Sequence, residues 1–208
     1  MAFDFRPVIP SDMVFLAMDL QNDFAHTDGT FGRNGFEHVP TAAAEVLPNI
    51  IRAWEACREL RVPVIGVGLT ILEDLDGNAI GIEQFRPGLR ELFTRAGFRS
   101  GSWGEQFLEE LPEPDYRIRK WGHSAMYLTE LEKLLRALGR NVLVMAGLGT
   151  NGVVEGTARD AVSRGWDIVA LKDGVCAPDA TLHEGGLNSL GHLGRLMTSD
   201  EFIAAVKG

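Results

Sequence analysis

The segment NVLVMAGLGTNGVVEGTARDA, residues 141–161, decides the fold class of this chain. It begins with an apolar run that ends at Gly147, and a glycine-rich turn follows. A helix is then predicted from about Gly152 to Arg164. A buried strand, a tight turn and a helix in this order form one half of a βαβ unit. Such units build parallel sheets that are covered by helices on both faces.

The same alternation of strands and helices extends in both directions from this segment. Strands are predicted at residues 13–20, 62–69, 116–120, 166–171 and 195–198. Helices are predicted at residues 41–61, 86–95, 128–138, 180–192 and 200–206, the second with Pro87 in its first turn and the third with Gly139 as its C-cap. We therefore expect a single α/β domain over residues 1–208, with a mainly parallel sheet.

The composition narrows the class of function. The 208 residues are 45% hydrophobic and carry a formal net charge of −9, which argues against non-specific binding to nucleic acid or anionic membranes. No apolar run approaches the roughly 20 residues of a membrane helix, and the N-terminus lacks the pattern of a signal peptide. The two cysteines fit neither a disulfide framework nor a metal motif. We expect a cytoplasmic protein with a small-molecule ligand.

The strand ends select the candidate reactive residues. Ligands of open α/β sheets bind beyond the carboxyl ends of the strands, which here carry Asp19, Thr70, Lys120 and the loop 147–151. Apolar neighbours could raise the pKa of Asp19 and suit it to acid or base catalysis, although an N-cap or a surface ion pair is the alternative. Lys120 would hold a nearby carboxylate ionised, but most single lysines are simply solvated.

The glycine-rich turn allows three interpretations. Its backbone N–H groups, with the start of the following helix, could bind an anion or an oxyanion. It could equally be a tight turn that uses glycine for its conformational freedom. The spacing Gly147-x-Gly149-x-x-Gly152, with Asp173 further on, also matches a nucleotide-binding pattern, although a single match of this kind is weak.

Four segments together resemble the isochorismatase-like hydrolase superfamily. They are FLAMDLQNDF (15–24), RKWGHSAMYLTEL (119–131), GLGTNGVVEGTARDAVSRGW (147–166) and KDGVCAPDATLHEGGL (172–187). The resemblance covers nearly the whole chain. It implies a Rossmann-like three-layer α/β/α sandwich around a six-stranded, mainly parallel sheet, and a homo-oligomer. It also implies a catalytic aspartate at Asp19, a catalytic lysine at Lys120 and a cis peptide at Leu148–Gly149.

The chain departs from that family at two positions. Most members carry a nucleophilic cysteine after the T-N-x signature, where this chain has Gly152, give or take one position, and Val153 is no nucleophile either. Cys57 and Cys176 lie too far away in sequence to replace it, so we expect no ordinary thioester intermediate. The histidines of metal-dependent nicotinamidase-like members are missing from residues 70–85. We therefore predict no metal, no other cofactor and no nicotinamidase activity.

The resulting hypothesis is a hydrolase of a small organic molecule without a cysteine nucleophile. Asp19 would be the general acid or base, Lys120 its electrostatic partner and the backbone of 148–152 a polar cradle. Members that resemble true isochorismatases also carry glycine in place of the cysteine. By analogy, Asp19 would protonate a vinyl ether, water would capture the oxocarbenium, and Lys120 and Arg86 would hold a substrate carboxylate.

Two alternatives to this hypothesis remain open. The segment TNGVVEGTARDA looks closer to amidohydrolases, which favours cleavage of a small amide or ureide. The other alternative is a silent small-molecule-binding or scaffold protein. The residues expected to contact the substrate are Gln21, Phe24, Arg86, Trp103, Trp121, His123, Leu148, Gly149 and Asn151.

Overall fold

The computed structural model describes residues 5–208 and contains a six-stranded sheet. Its strands are β1 (Met13–Met18), β2 (Val64–Leu69), β5 (Tyr116–Lys120), β6 (Val142–Leu148), β7 (Asp167–Cys176) and β8 (Arg195–Met197). They lie in the order β5-β2-β1-β6-β7-β8, and every neighbouring pair is parallel. A small antiparallel hairpin, β3 (Leu72–Glu73) with β4 (Ala79–Ile80), stands apart from this sheet. The predicted parallel sheet is confirmed.

Helices cover both faces of the sheet. They are α1 (Asn22–Ala25), α2 (Thr30–Arg33), α3 (His38–Glu59), α4 (Pro87–Arg95), α5 (Leu131–Leu138), α6 (Glu155–Ser163), α7 (Ala180–Leu193) and α8 (Ser199–Lys207). Side chains of α3 and α8 share one apolar core with the sheet, and side chains of α5, α6 and α7 share the other. The result is the three-layer sandwich that the resemblance implied.

The central strand β1 shows why the strands are continuous apolar runs in the sequence. Phe15 and Ala17 of β1 pack into one core, whereas Val14, Leu16 and Met18 pack into the other. All of them are fully buried, so neither face of the strand needs polar residues.

Two helices begin later than the sequence predicted. Helix α5 begins at Leu131 and not at Leu128, because Leu128 has a left-handed backbone with φ of 53° that ends the preceding turn. Helix α6 begins at Glu155, after a wide π-helical turn at Thr150–Val154. The C-cap at Gly139 is as predicted, with φ of 63°.

An aromatic cluster lies beyond the carboxyl ends of the strands. Phe93 and Phe98 are fully buried, and their ring centroids are 5.4 Å apart. Phe31 and Phe85 join the cluster, which packs on Leu69 at the end of β2. This cluster places an apolar wall beside the sheet edge where the candidate residues lie.

The described part of the chain, residues 5–208, has no helix that is both long and apolar enough to span a membrane.

Candidate active site

Asp19 and Lys120 form a buried ion pair at the carboxyl edge of the sheet. Asp19 directly follows β1, Lys120 ends β5, and β2 lies between these two strands. Because strands are spaced by about 4.8 Å, the long lysine side chain is needed to cross this gap. Lys120 Nζ lies 2.9 Å from Asp19 Oδ2 and donates a second hydrogen bond to Gly122 O at 3.0 Å. The lysine and aspartate side chains are only 3% and 7% exposed.

The second oxygen of Asp19 has no protein partner. Oδ1 is buried and accepts no hydrogen bond within the described residues. Burial raises the pKa of Asp19, while the charge and hydrogen bond of Lys120 oppose that rise. A buried carboxyl with one free oxygen and a raised pKa is suited to exchange protons with a bound molecule.

The backbone of Asp19 is held in an uncommon conformation. Its φ is 55°, in the left-handed region that non-glycine residues seldom adopt. Its N–H donates to Val67 O at 2.8 Å, so the residue stays attached to the sheet while its side chain turns into the space above the strand ends. Gly147 lies beside it, and a Cβ there would come within 2.0 Å of Met18 O. Glycine is therefore required where β6 approaches β1.

Asp19 and Lys120 open onto a cavity of about 840 Å³. This size is typical of small-molecule sites. The predicted site residues that line it are Asp19, Phe24, Arg86, Lys120, His123, Leu148, Gly149, Asn151 and Gly152. Its aromatic wall also includes Phe31, Phe36, Phe85 and Phe93, which the sequence did not single out. They come from segments outside the sheet, and only their shared aromatic character could have indicated a common wall.

Three predicted lining residues lie outside the cavity. The Gln21 side chain holds two backbone segments together: its amide donates to Leu69 O and Glu105 O and accepts from Leu69 N, at 2.7 to 2.9 Å. Trp103 is 48% exposed and packs edge-on against His26. Trp121 donates from Nε1 to Leu128 O at 3.3 Å. Their expected contact with substrate is thus not supported by their positions.

The glycine-rich turn is a less complete cradle than expected. The Gly149 N–H donates to Cys176 O, and the Gly152 N–H donates to Gly149 O, both at 2.8 Å. Because these two donors are used within the protein, they are not available to an oxyanion or a phosphate. The expected cis peptide at Leu148–Gly149 is also absent, since every described peptide bond is trans. The chain turns here through Gly149, whose φ is 84°.

No side chain of this turn supplies a nucleophile to the cavity. Both Gly152 and Val153 line the cavity, and Val153 is only 3% exposed. A Cβ built on Gly152 would have no heavy atom within 4 Å, so the space there is open.

A thiol does line the cavity, although its position in the sequence did not predict this. Cys176 ends β7 opposite Leu148 of β6, in register with it. Burial raises the pKa of Cys176 to about 12, and the nearby charge of Glu45 acts in the same direction. The thiol is therefore protonated at neutral pH and poorly nucleophilic. Cys57 lies on α3 with its side chain buried in the core, and burial raises its pKa to about 12 as well.

The histidines near the cavity form no metal site. His123 packs on Phe85 with ring centroids 5.2 Å apart, and burial, with the charge of Lys120, lowers its pKa. His183 is hydrogen-bonded through Nδ1 to Thr150 Oγ1 at 2.9 Å. Within residues 5–208, no three His, Cys, Asp or Glu side chains are grouped to hold a metal ion.

The fold and the site define an α/β enzyme with an acid–lysine pair in a small-molecule cavity. An Isochorismatase domain profile matches residues 13–201, and the chain belongs to that family of hydrolases.

The relatives agree with this assignment. The chain is similar to a ureidoacrylate amidohydrolase of Methylobacterium radiotolerans, with 31% identity over 95% of this chain and 76% of that protein. Its structure resembles a cysteine hydrolase from Pseudomonas syringae pv. phaseolicola, with a TM-score of 0.82, 21% identity and coverage of 100% and 99%. It also resembles an N-carbamoylsarcosine amidase from Thermoplasma acidophilum, with a TM-score of 0.71, 25% identity and coverage of 91% and 98%.

Proposed function

We propose that this protein hydrolyses a small organic molecule without a covalent intermediate, with Asp19 as the proton-transferring group. The observation that carries the proposal is the buried, unpartnered Oδ1 of Asp19 in a cavity whose lining thiol, Cys176, has a pKa of about 12. A carboxyl group can transfer protons there, whereas a thiolate attack is disfavoured.

Vinyl-ether hydrolysis fits this arrangement directly. The protonated carboxyl of Asp19 donates its proton to the enol-ether carbon, which creates an oxocarbenium ion. Water adds to that ion, its proton returns to the Asp19 carboxylate, and the hemiketal collapses to a carbonyl compound and an alcohol. Lys120 stabilises the carboxylate form during the cycle, because its ammonium lies 2.9 Å from Oδ2.

A second candidate is hydrolysis of the C–N bond of a small amide or ureide. It is favoured by the similarity to a ureidoacrylate amidohydrolase. In this reaction the Asp19 carboxylate takes a proton from water as the water attacks the carbonyl carbon. The same proton then passes to the leaving nitrogen, so no thioester is formed.

The experiment compares turnover of two substrate panels, one of small amides and ureides and one of isochorismate-type enol ethers. The proteins are the unmodified chain, Asp19→Asn and the matched control Asp76→Asn, which changes an exposed aspartate on the β3–β4 hairpin. We expect turnover in one panel, its loss in Asp19→Asn and its retention in Asp76→Asn.

The other outcomes separate the alternatives. Turnover that survives in Asp19→Asn would refute the role of Asp19. No turnover in either panel, with ligands that still raise the melting temperature, would favour a silent binding protein.

A further inference from the structure

One buried carboxylate, that of Asp23, ties together three segments that carry the aromatic rings beside the cavity. Asp23 is 6% exposed. Its Oδ1 accepts hydrogen bonds from the backbone N–H and the hydroxyl of Thr30, at 2.9 and 2.7 Å. Its Oδ2 accepts a hydrogen bond from the Phe98 N–H at 2.6 Å. Hydrogen bonds to a carboxylate are about twice as strong as those between neutral groups, so Asp23 links these segments firmly.

Each of the linked segments carries a phenylalanine. Phe24 directly follows Asp23, and Phe31 follows Thr30 in the first turn of α2; both rings line the cavity. Phe98 lies behind them and is fully buried, with its ring centroid 4.2 Å from that of Phe24 and 6.0 Å from that of Phe31. The hydrogen bonds of one carboxylate therefore fix the spacing of three rings.

The backbone around Phe98 is shaped to reach this carboxylate. Phe98 has a left-handed φ of 56°, which residues other than glycine seldom adopt. A Cβ on the preceding Gly97 would lie 2.8 Å from Thr30 Oγ1, and a Cβ on Gly104 would lie 2.0 Å from Asp23 Oδ2. The surrounding structure must hold such a conformation in place, and the hydrogen bond to Asp23 contributes to this.

We infer that Asp23 is a positioning residue that sets the shape of the aromatic wall and, through it, the affinity of the cavity for flat apolar molecules. Asp23 is not among the described residues that line the cavity, so it acts through the rings. An asparagine has one acceptor oxygen and one NH2 donor, so it cannot accept from both Thr30 and Phe98. In Asp23→Asn the wall is released at one of these two residues. This inference rests on the proposed function only in taking the Asp19 cavity as the substrate site.

The test measures the binding of benzamide, a flat uncharged probe, by isothermal titration calorimetry. It compares the unmodified chain, Asp23→Asn and the matched control Asp173→Asn. The Oδ1 atom of Asp173 accepts from the backbone N–H and the hydroxyl of Ser199, at 2.7 and 3.0 Å, and Asp173 does not line the cavity. The control therefore loses similar hydrogen bonds without a change in the wall.

We expect the unmodified chain and Asp173→Asn to bind benzamide within about twofold of each other, and Asp23→Asn to bind it about tenfold more weakly. Phe24→Leu removes one ring of the wall. In that background Asp23→Asn should cost no more than about twofold, because two residues that act through one contact are not additive. A milder variant, Thr30→Val, removes only the hydroxyl donor and should weaken binding about threefold even if Asp23→Asn does not fold.

Three results would overturn the inference. The first is equal benzamide binding by Asp23→Asn and Asp173→Asn or, where Asp23→Asn does not fold, by Thr30→Val and the unmodified chain. The second is an additive effect of Asp23→Asn in the Phe24→Leu background, which is the pattern of a general loss of stability. The third is the absence of benzamide binding by the unmodified chain.

Kinetics then separates this inference from the proposed function. With a substrate that the enzyme turns over, Asp23→Asn should raise KM about tenfold and leave kcat within about threefold. The pH profile of kcat should not move, because none of the side-chain hydrogen bonds of Asp23 goes to Asp19 or Lys120. Failure of the proposed function would appear as turnover by Asp19→Asn. Failure of the present inference would appear as an unchanged KM in Asp23→Asn, whatever Asp19→Asn does.

Discussion

Replacement of Lys120 by methionine tests the electrostatics of the site. Methionine keeps an unbranched side chain of similar length and removes the ammonium group. Asp19 is then left as a buried carboxyl whose Oδ1 and Oδ2 both lack a protein side-chain partner. Removal of one partner from a buried ion pair generally costs about 3–5 kcal/mol, because the remaining charge is uncompensated. With side chains only 3% and 7% exposed, this pair belongs to that class.

The pH dependence of this loss has a definite sign. Burial raises the folded-state pKa of Asp19, and Lys120→Met removes the lysine that opposes the rise. Between the ordinary aspartate pKa of about 3.9 and the raised value, the folded protein binds more protons than the unfolded chain. The free energy of unfolding of the variant should therefore fall with rising pH through that window, by about 1.4 kcal/mol per unit.

The assay is urea unfolding between pH 4 and pH 8, with Asp19→Asn/Lys120→Met as the matched control. The double variant has no buried charge at this position, so its stability should recover most of the loss and show no added pH slope. A Lys120→Met variant as stable as the unmodified chain at pH 8, or one whose loss does not vary with pH, would refute the assignment of a buried, charged pair.

Three further predictions concern the surroundings of Asp19. If Asp19 is a general acid, kcat/KM should fall as the pH rises through the raised pKa of Asp19, and if it is a general base, kcat/KM should rise through the same pH. A pH profile of kcat/KM whose midpoint lies at or below about 3.9, the ordinary aspartate pKa, would contradict both roles. Gln21→Leu should lower the free energy of unfolding, measured in urea, by about 2–4 kcal/mol, because the backbone groups of Leu69 and Glu105 lose their hydrogen bonds to the Gln21 amide. An increase in KM without loss of stability would show instead that Gln21 contacts the substrate. With a pKa of about 12, Cys176 should be modified very slowly by iodoacetamide at pH 8, as followed by mass spectrometry, and rapid labelling would indicate an activated thiol.

The position of Asp19 and Lys120 at one edge of the sheet was predictable from the sequence because strand ends are local signals. Asp19 and Lys120 each end an apolar run, and parallel strands bring such ends to one edge of the sheet. The resemblance to the family then supplied the pairing of these two residues. The layers of the fold followed from the alternation of strands and helices, which the structure confirms.

The rest of the site depends on contacts between segments that are distant in sequence. Gln21 lies two residues after Asp19, yet its side chain is used to hold Leu69 and Glu105. Cys176 reaches the cavity only because β7 pairs with β6 beside Leu148. The sequence shows that the glycine-rich turn has backbone N–H groups, but the hydrogen bonds that Gly149 and Gly152 make within the protein depend on the conformation of the turn. None of these features has a local signature.

The most direct test of thiol-free hydrolysis uses the fact that the chain has only two cysteines. The double variant Cys57→Ala/Cys176→Ala contains no thiol. Circular dichroism first shows that each protein is folded. The kcat of the double variant on the active substrate panel is then compared with the kcat of the unmodified chain and of Asp19→Asn. The account predicts that the cysteine-free protein keeps kcat within about threefold, because Asp19 carries the proton transfer, whereas Asp19→Asn loses turnover. A cysteine-free protein that is folded but inactive, beside an active Asp19→Asn, would contradict it.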